Sequence, residues 1–263
     1  PNCGKTTMFN DLTGATQYVG NWPGVTVEKK EGRYKADKEI SITDLPGIYS
    51  LSPYTLEEVI TRDFLINEKP DVIVNLVDAS NIERNLYLTT QLLEIGIPVV
   101  IALNMMDIVT KRGDTIDTKK LSAELGVPVI ETTALKGKGT AELMAAAKKA
   151  AAAGVRPAQH AFSAEIENAL AQITDLIRDV TEEGHRRWFA VKLFERDEKV
   201  LARFQFSQET RDKLEKIITA VEDELDDDAE SIITDARYQY ITKLVKPVVK
   251  KKKTGLTVSD KID

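Results

Sequence analysis

Four short segments of this 263-residue chain combine residue types that could bind a nucleotide together with a magnesium ion. The first lies at the start of the chain and reads Pro-Asn-Cys-Gly-Lys-Thr-Thr, which is typical of a phosphate-binding loop that opens a helix. Backbone N–H groups at a helix N-terminus favour anions, so we predict that this loop faces the phosphates. The predicted phosphate-loop residues are Cys3, Gly4, Lys5, Thr6 and Thr7, with Lys5 on the β- and γ-phosphates and the Thr6 hydroxyl on Mg²⁺.

The second segment, and a threonine upstream of it, supply candidates for the metal ion and the terminal phosphate. The pattern Asp-x-x-Gly occurs at Asp44 and Gly47, directly after a predicted strand. We predict that Asp44 supports Mg²⁺ through water and that the Gly47 amide contacts the γ-phosphate. Thr26 would bind Mg²⁺ and the γ-phosphate only in the triphosphate state. Gly20 and Gly24 suit a loop that refolds when the nucleotide is hydrolysed.

The third and fourth segments indicate which base is recognised. Asn104 and Asp107 form the pattern Asn-x-x-Asp after a predicted strand. A carboxylate at Asp107 can accept hydrogen bonds from both N1 and the 2-amino group of guanine. Adenine would leave it unpaired, at a cost of about 1–3 kcal/mol or more. The fourth segment matches the loop that backs the base. The predicted base-binding residues are Asn104, Met105, Asp107, Thr133, Ala134 and Leu135.

Strand-like and helix-like patterns alternate through the first part of the chain and place the motifs at strand ends. The predicted strands are Glu39–Thr43, Asp71–Asp78, Pro98–Asn104 and Val127–Glu131, and the predicted helices are Thr7–Leu12, Arg84–Ile95, Asp117–Leu125 and Thr140–Ala153. This alternation favours an α/β fold with a mostly parallel sheet and flanking helices, and the order of the motifs indicates the P-loop GTPase class. We assign this domain to residues 1–155, and we expect a further strand and the first phosphate-loop glycine to precede Pro1.

The remainder of the chain shows helical periodicity without strand signals. Residues 156–248 are therefore predicted to form a small all-helical domain. Its predicted helices are Ser163–Thr181, Trp188–Phe194, Lys199–Phe204, Ser207–Leu225 and Ala229–Val245. Residues 249–263 contain the lysine run Lys250–Lys253, and we predict that they form a basic linker suited to the cytoplasmic side of a membrane.

The composition, and the absence of a glutamine directly after Gly47, narrow the range of possible functions further. The net charge is -6 and neither half of the chain has a basic excess, which argues against a dedicated nucleic-acid binder. The single cysteine excludes an internal disulfide, and no apolar run approaches the roughly 20 residues of a membrane-spanning helix. Ile48 and Tyr49 follow Gly47, where a Ras-like enzyme places a water-orienting glutamine. Hydrolysis should therefore be slow unless an arginine or a monovalent cation supplies charge.

Several segments together resemble the cytoplasmic N-terminal part of ferrous iron transport protein B. The most specific is Asn-Trp-Pro-Gly-Val-Thr-Val-Glu at positions 21–28. The phosphate loop, the Asp-Leu-Pro-Gly motif with Tyr-Ser-Leu at 49–51, and the Asn-Met-Met-Asp motif agree with it. The resemblance covers the first part of the chain by motif and the helical part by position and character.

That resemblance implies a potassium-activated GTPase coupled to a helical domain like a guanine-nucleotide dissociation inhibitor. It implies that K⁺ is bound by the side chain of Asn2 and by the backbone carbonyls of Gly20 and Trp22. There K⁺ would take the place of an arginine finger's charge. It also places Glu57 and Glu58 near the helical domain. With the motifs above, the catalytic residues become Asn2, Lys5, Thr26 and Gly47, and the cofactors GTP or GDP, Mg²⁺ and K⁺.

The same resemblance implies partners and a location. A membrane-embedded ferrous iron permease domain of the same polypeptide would follow, at the inner membrane of a prokaryote, with this part on the cytoplasmic face. Small Feo accessory proteins and a second copy of the chain are further candidate partners, and no nucleic acid is expected.

Two alternative functions stay open on the sequence alone. An RNA-associated GTPase of the tRNA-modification or ribosome-assembly type would share the motifs and the missing glutamine, although no basic RNA-binding domain is present. A non-catalytic, nucleotide-gated interaction module would share the binding residues, although the full set of motifs disfavours it.

Overall fold

The computed structural model describes residues 3–14 and 17–252 of the chain. Asn2, the predicted potassium ligand, lies outside the described residues. The helices are Lys5–Thr13 (α1), Leu56–Asn67 (α2), Ile82–Ile95 (α3), Met106–Arg112 (α4), Thr118–Leu125 (α5), Thr140–Ala153 (α6), Ala164–Leu176 (α7), Arg186–Phe194 (α8), Glu198–Arg203 (α9), Gln208–Leu225 (α10) and Ala229–Val245 (α11). The strands are Gln17–Asn21 (β1), Glu28–Tyr34 (β2), Asp37–Asp44 (β3), Ile73–Asp78 (β4), Val99–Asn104 (β5), Thr115–Ile116 (β6), Val129–Glu131 (β7) and Val249–Lys250 (β8).

Three parallel strands form the centre of the first part. β4 pairs with β5 from Ile73–Val99 to Asp78–Asn104, and β5 pairs in turn with β7. β5 is buried at every position, which explains its continuous apolar and β-branched sequence. Because parallel strands end at the same edge of a sheet, the loops after Asp78, Asn104 and Glu131 meet there. The predicted α/β fold with flanking helices is confirmed.

A second, antiparallel sheet contains β1, β2 and β3 in that order. The sequence patterns did not predict β1 and β2, because these strands are mostly polar and partly exposed and so lack apolar alternation. Gly20 pairs with Lys29 across the hairpin, and the Trp22 N–H donates to the Val27 carbonyl at 2.9 Å. The segment expected to be a loop is therefore a strand as far as Asn21, and residues 22–27 form the turn.

A cavity of about 590 Å³ lies between the two sheets. β3 pairs only with β2, and β4 only with β5, so each strand has one edge without a partner strand among the described residues. Ile40 and Ile42 of β3 and Val74 of β4 line the cavity from these edges. Met8 of α1 and Leu92 of α3 also line it. The cavity is therefore a mostly apolar slot between two strands that are not paired with each other.

Helices α7 to α11 form the second part, and they share a core with the first part. One continuous cluster of buried apolar residues includes members of both parts. Two buried ion pairs also cross between them. Arg62 of α2 donates to Asp197 at 2.9 Å, and Arg237 of α11 donates to Glu94 of α3 at 2.8 Å. The predicted helical region is present, but it is packed against the first part as one continuous unit.

After α11 the chain returns to the first part. β8 pairs antiparallel with β6, and the Lys252 N–H donates to Asp114 at 2.8 Å. The start of the predicted basic linker therefore belongs to the folded unit, because backbone pairing holds it; residues 253–263 lie outside the described residues. No helix within the described ranges is long and apolar enough to cross a lipid bilayer.

Candidate nucleotide-binding site

The phosphate loop ends where α1 begins, and its geometry explains the glycine before the lysine. Gly4 has a φ of 86°, in the left-handed region. A Cβ at this position would lie 2.6 Å from Nδ2 of Asn104, which donates to the Cys3 carbonyl at 2.7 Å. The close approach of Asn104 therefore requires a glycine. In the first turn of α1, Thr6 is exposed and Thr7 is half-buried, at the helix end that favours phosphate.

Lys5 and Asp44 come from distant positions in the sequence and meet at this helix end. The Lys5 ammonium donates to Asp44 Oδ1 at 2.6 Å, and Asp44 is the last residue of β3. Cys3 and Gly47 line the same cavity as this pair. A carboxylate suits Mg²⁺ and an ammonium suits phosphate, so these groups fit the predicted ligands. The structure brings together the predicted phosphate lysine, the magnesium carboxylate and the γ-phosphate glycine.

Asn104 connects the phosphate loop to the loop that was predicted to back the base. Besides its bond to Cys3, its Oδ1 accepts from the Ala134 N–H at 3.0 Å and from the Thr132 hydroxyl at 3.3 Å. The residue is only 3% exposed. Both polar atoms of the side chain are thus engaged within the protein. The structure places Asn104 as the residue that holds the two loops together, beside the predicted base-binding residues.

Asp107 is the predicted guanine-reading carboxylate, and it lies in the first turn of α4 with its side chain 43% exposed. Met105 before it has a φ of 64°, a conformation rare for non-glycine residues. Lys136 Nζ lies 3.5 Å from Asp107 Oδ2, which joins α4 to the loop containing buried Thr133 and exposed Leu135. Lys136 is not predicted by any of the sequence motifs. Its only signal was its place next to the predicted loop.

Three predicted ligands come from the β1–β2 hairpin and its turn. Gly20, Trp22 and Thr26 do not line the cavity that contains the phosphate-loop lysine. The Trp22 ring is buried edge-on against Phe64 at 5.5 Å, and its carbonyl accepts the Val25 N–H at 3.2 Å. Thr26 is exposed. Gly20 is paired in the hairpin ladder and Trp22 is bonded within the turn, so the structure does not show these three residues in the cavity with Lys5 and Asp44.

Arg84 is a second residue near the site that sequence analysis missed. It lies in the first turn of α3, and its guanidinium carbon is 4.0 Å from the centroid of the Tyr49 ring. Both residues line the cavity with Gly47. No sequence pattern links positions so far apart, because their contact depends on how α3 packs beside the loop after β3.

Family models match both parts of the chain. The model described as ferrous iron transport protein B matches residues 1–147, and the model described as FeoB cytosolic helical domain matches residues 162–250. An Fe(2+) transport protein A/Fe(2+) transporter FeoB fusion protein of Porphyromonas gingivalis is 43% identical, over 100% of this chain and 33% of its own length. The Fe(2+) transporter FeoB of Escherichia coli strain K12 is 40% identical, over 92% of this chain and 31% of its own length. The chain thus spans about a third of the length of these curated relatives.

Solved structures with the same fold are also similar in sequence. A GDP-bound mutant of the S. thermophilus FeoB G-domain aligns with a TM-score of 0.92 at 45% identity, covering 95% of this chain and 96% of that one. NFeoB from S. thermophilus bound to GDP.AlF4- and K⁺ aligns with a TM-score of 0.87 at 46% identity, covering 94% of this chain and 96% of that one.

Proposed function

This chain belongs to the ferrous iron transport protein B family, and from that premise we propose that it binds GTP with Mg²⁺ and hydrolyses it to GDP and phosphate. The observation that carries the proposal is the meeting of Lys5 and Asp44, 2.6 Å apart, at the N-terminal end of α1. A cation, a carboxylate and a helix N-terminus are the groups that a magnesium-bound phosphate requires. The GDP-bound structure of a relative supports the same ligand class. The family membership favours this function over the RNA-associated and non-catalytic alternatives.

Each residue of the cluster has a proposed role. Lys5 neutralises the β- and γ-phosphates, and the Gly47 amide donates to the γ-phosphate. Thr6, Asp44 and Thr26 hold Mg²⁺, which when bound neutralises charge that develops during phosphoryl transfer. Thr26 lies in the exposed hairpin turn, so its approach requires residues 22–27 to rearrange. That rearrangement is the proposed switch.

Base recognition is assigned to the other end of the cluster. The Asp107 carboxylate accepts from guanine, and Asn104 holds the loop behind the base through its bonds to Ala134 and Cys3. Met105, Thr133 and Leu135 complete the predicted base-binding set with them. Lys136 lies close enough to Asp107 to form an ion pair with it, so guanine binding must compete with or bridge this contact.

We extend the proposal to potassium activation. Ile48 has no polar group that could orient water, so another source of charge is needed at the transition state. A relative solved with GDP.AlF4- and K⁺ supports a potassium ion in that role. Asn2 and the carbonyls of Gly20 and Trp22 would bind it. Because the Trp22 carbonyl accepts the Val25 N–H, the hairpin turn has to open for the site to form.

The proposed cellular role is that of the nucleotide-binding part of a ferrous iron transporter. It would act on the cytoplasmic face of a prokaryotic inner membrane, with a permease domain in the same polypeptide. The relatives are Fe(2+) transporters about three times as long as this chain, which supports a membrane part. The Porphyromonas gingivalis fusion supports a small transport protein A as an accessory partner. Residues 156–248 would be the helical domain that responds to the nucleotide.

We also propose that the intact polypeptide places one more strand between β3 and β4. The slot of about 590 Å³ is lined by Ile40, Ile42 and Val74, and the strands on both sides have an edge without a partner strand among the described residues. A strand in this slot would join the two sheets and bury the apolar lining. It would also enter the phosphate loop from the correct end, bringing the first glycine of that loop.

Phosphate release from GTP by the intact polypeptide tests these proposals. With Mg²⁺ present we expect hydrolysis, faster in KCl than in NaCl. Lys5→Ala should weaken binding of a fluorescent GTP analogue and reduce hydrolysis. Lys213→Ala removes an exposed lysine of α10 and should leave both unchanged. Absence of hydrolysis in KCl would overturn the GTPase proposal, whereas equal rates in the two salts would overturn potassium activation alone.

A further inference from the structure

One face of α3 is in contact with the segment that follows Gly47. Arg84 and Gln91 lie about two helical turns apart, which places them on the same side of the helix. The Arg84 guanidinium stacks on Tyr49, with its carbon 4.0 Å from the ring centroid. Gln91 Oε1 accepts the Leu51 N–H at 2.5 Å. The segment after the Asp-x-x-Gly motif is therefore attached to α3 at two points.

The two sides of this contact differ in how firmly they are placed. α3 is packed into the core, and its Leu86 and Leu93 are each 1% exposed. The amide of Asn85 further anchors its first turn through bonds to Asp78 and Asn81. By contrast, residues 45–55 form neither helix nor strand. The position of this segment therefore depends on side-chain contacts, and α3 is the fixed surface against which it is held.

We propose that Arg84 is a positioning residue for GTP hydrolysis: by stacking on Tyr49 it holds the backbone that carries the Gly47 amide in place. This inference rests on the proposed function. Ile48 cannot orient water, so the backbone amide is the group of this segment that must be placed accurately against the γ-phosphate. Apart from the stack, the Arg84 side chain makes no hydrogen bond or ion pair with any residue in the described part of the chain. The stack is therefore its structural role.

The main rival is a direct electrostatic role, because Arg84 lines the same cavity as Lys5 and Asp44. The two roles predict different results when the Arg84 and Tyr49 variants are combined. A positioning role requires the Tyr49 ring, so removing either partner has the same effect and removing both has no further effect. A direct effect of charge does not depend on the ring, so the losses from the two single variants would add.

A double-mutant cycle on the intact polypeptide separates these roles. For Arg84→Leu, Tyr49→Leu and the double variant we expect a two- to fivefold fall in kcat, equivalent to about 0.5–1 kcal/mol for an exposed cation–π contact, with KM changed less than about twofold. Tyr49→Phe keeps the ring and should retain kcat. Arg178→Leu, an exposed arginine of the helical part, is the matched control. Additive losses in the double variant, or no loss in Tyr49→Leu, would overturn the proposal.

Amide hydrogen exchange provides a readout that does not depend on hydrolysis. Arg84→Leu should speed exchange of the amides in residues 47–51 by about two- to fivefold, with the amides of α10 unchanged. Unchanged exchange in residues 47–51 would refute the proposal that Arg84 holds this segment in place, even if hydrolysis is normal. If the unaltered protein does not hydrolyse GTP, the proposed function fails, but the exchange result still decides whether Arg84 holds this segment.

Discussion

Replacing Arg237 with methionine removes the buried charge that joins α11 to α3. The Arg237 side chain is fully buried, and its guanidinium donates to Glu94 at 2.8 Å and to Glu195 at 2.9 Å. Methionine would leave Glu94 without its cation, whereas Glu195 keeps Lys192 at 2.5 Å. Removing one partner of a buried ion pair costs about 3–5 kcal/mol. We expect the free energy of unfolding near neutral pH to fall by that amount.

The loss should depend on pH through His160. Its Nε2 lies 3.5 Å from Glu94, and burial, followed by the charges of Arg237 and Arg187, lowers the pKa of His160 against the opposing effect of Glu94 and Glu167. In the unaltered protein the unfolded state therefore binds more protons, so the free energy of unfolding decreases as the pH falls from about 6.5 toward the lowered pKa of His160 in the folded state. Without Arg237 the pKa of His160 rises, so protonation pairs Glu94 in the folded state. The destabilisation should then be smaller at about pH 5.5 than at about pH 8.

Urea unfolding followed by tryptophan fluorescence measures both quantities. Trp22 lies in the first part and Trp188 in the helical part, so a single transition also checks that the parts unfold together. Lys213→Met removes an exposed ion pair with Glu209 and should change the free energy of unfolding by less than about 0.5 kcal/mol. A loss for Arg237→Met below about 1 kcal/mol at the higher pH, or one that grows as the pH falls, would refute the reasoning.

Two further predictions concern the proposed base-binding side. Asp107→Asn should lower affinity for GTP by about tenfold or more and shift preference toward xanthine nucleotides, measured by titration with both; unchanged GTP affinity would contradict the assignment. Gly139→Ala should destabilise by clearly more than the about 1–2 kcal/mol of left-handed strain, because its Cβ would lie 2.2 Å from the Glu131 carbonyl oxygen. Gly154→Ala has positive φ but open space, so equal losses in urea unfolding would count against the clash.

The centre of the fold could be predicted because its residues face one kind of environment. β5 is buried throughout, so an unbroken apolar run could only be an inner strand. α6 ends at Ala153, as predicted, and the next residue, Gly154, caps the helix with a φ of 59° that suits a glycine. The phosphate loop and the Asp-x-x-Gly motif could be located for a related reason. The phosphate loop stands at the beginning of α1 and the Asp-x-x-Gly motif at the end of β3, and Lys5 and Asp44 meet there.

The elements that escaped prediction depend on pairing or on contacts between distant residues. β1 and β2 are mostly polar and only partly buried, so no apolar periodicity distinguishes them from a loop, and only their backbone ladder defines them. β8 is a two-residue strand within a lysine-rich run, and it exists because β6 provides a partner. The stack of Arg84 on Tyr49 has the same origin. An exposed arginine carries no local signal of the ring that it will meet.

A movement of α2 that depends on the nucleotide would be transmitted to the helical part through the contact between Arg62 and Asp197. The free energies involved indicate whether this contact breaks or moves as a unit. Arg62 of α2 donates to Asp197 at 2.9 Å, their side chains are 3% and 2% exposed, and Asp197 also caps α9 by accepting the Val200 N–H. Breaking a buried pair of this kind costs about 3–5 kcal/mol, whereas coupling free energies between ligand sites are typically about 1–3 kcal/mol. A movement that left either charge buried without its partner would therefore cost more than a typical coupling free energy supplies. We therefore expect α2 and α9 to move together, and the helical part to shift with α2 rather than to detach from it.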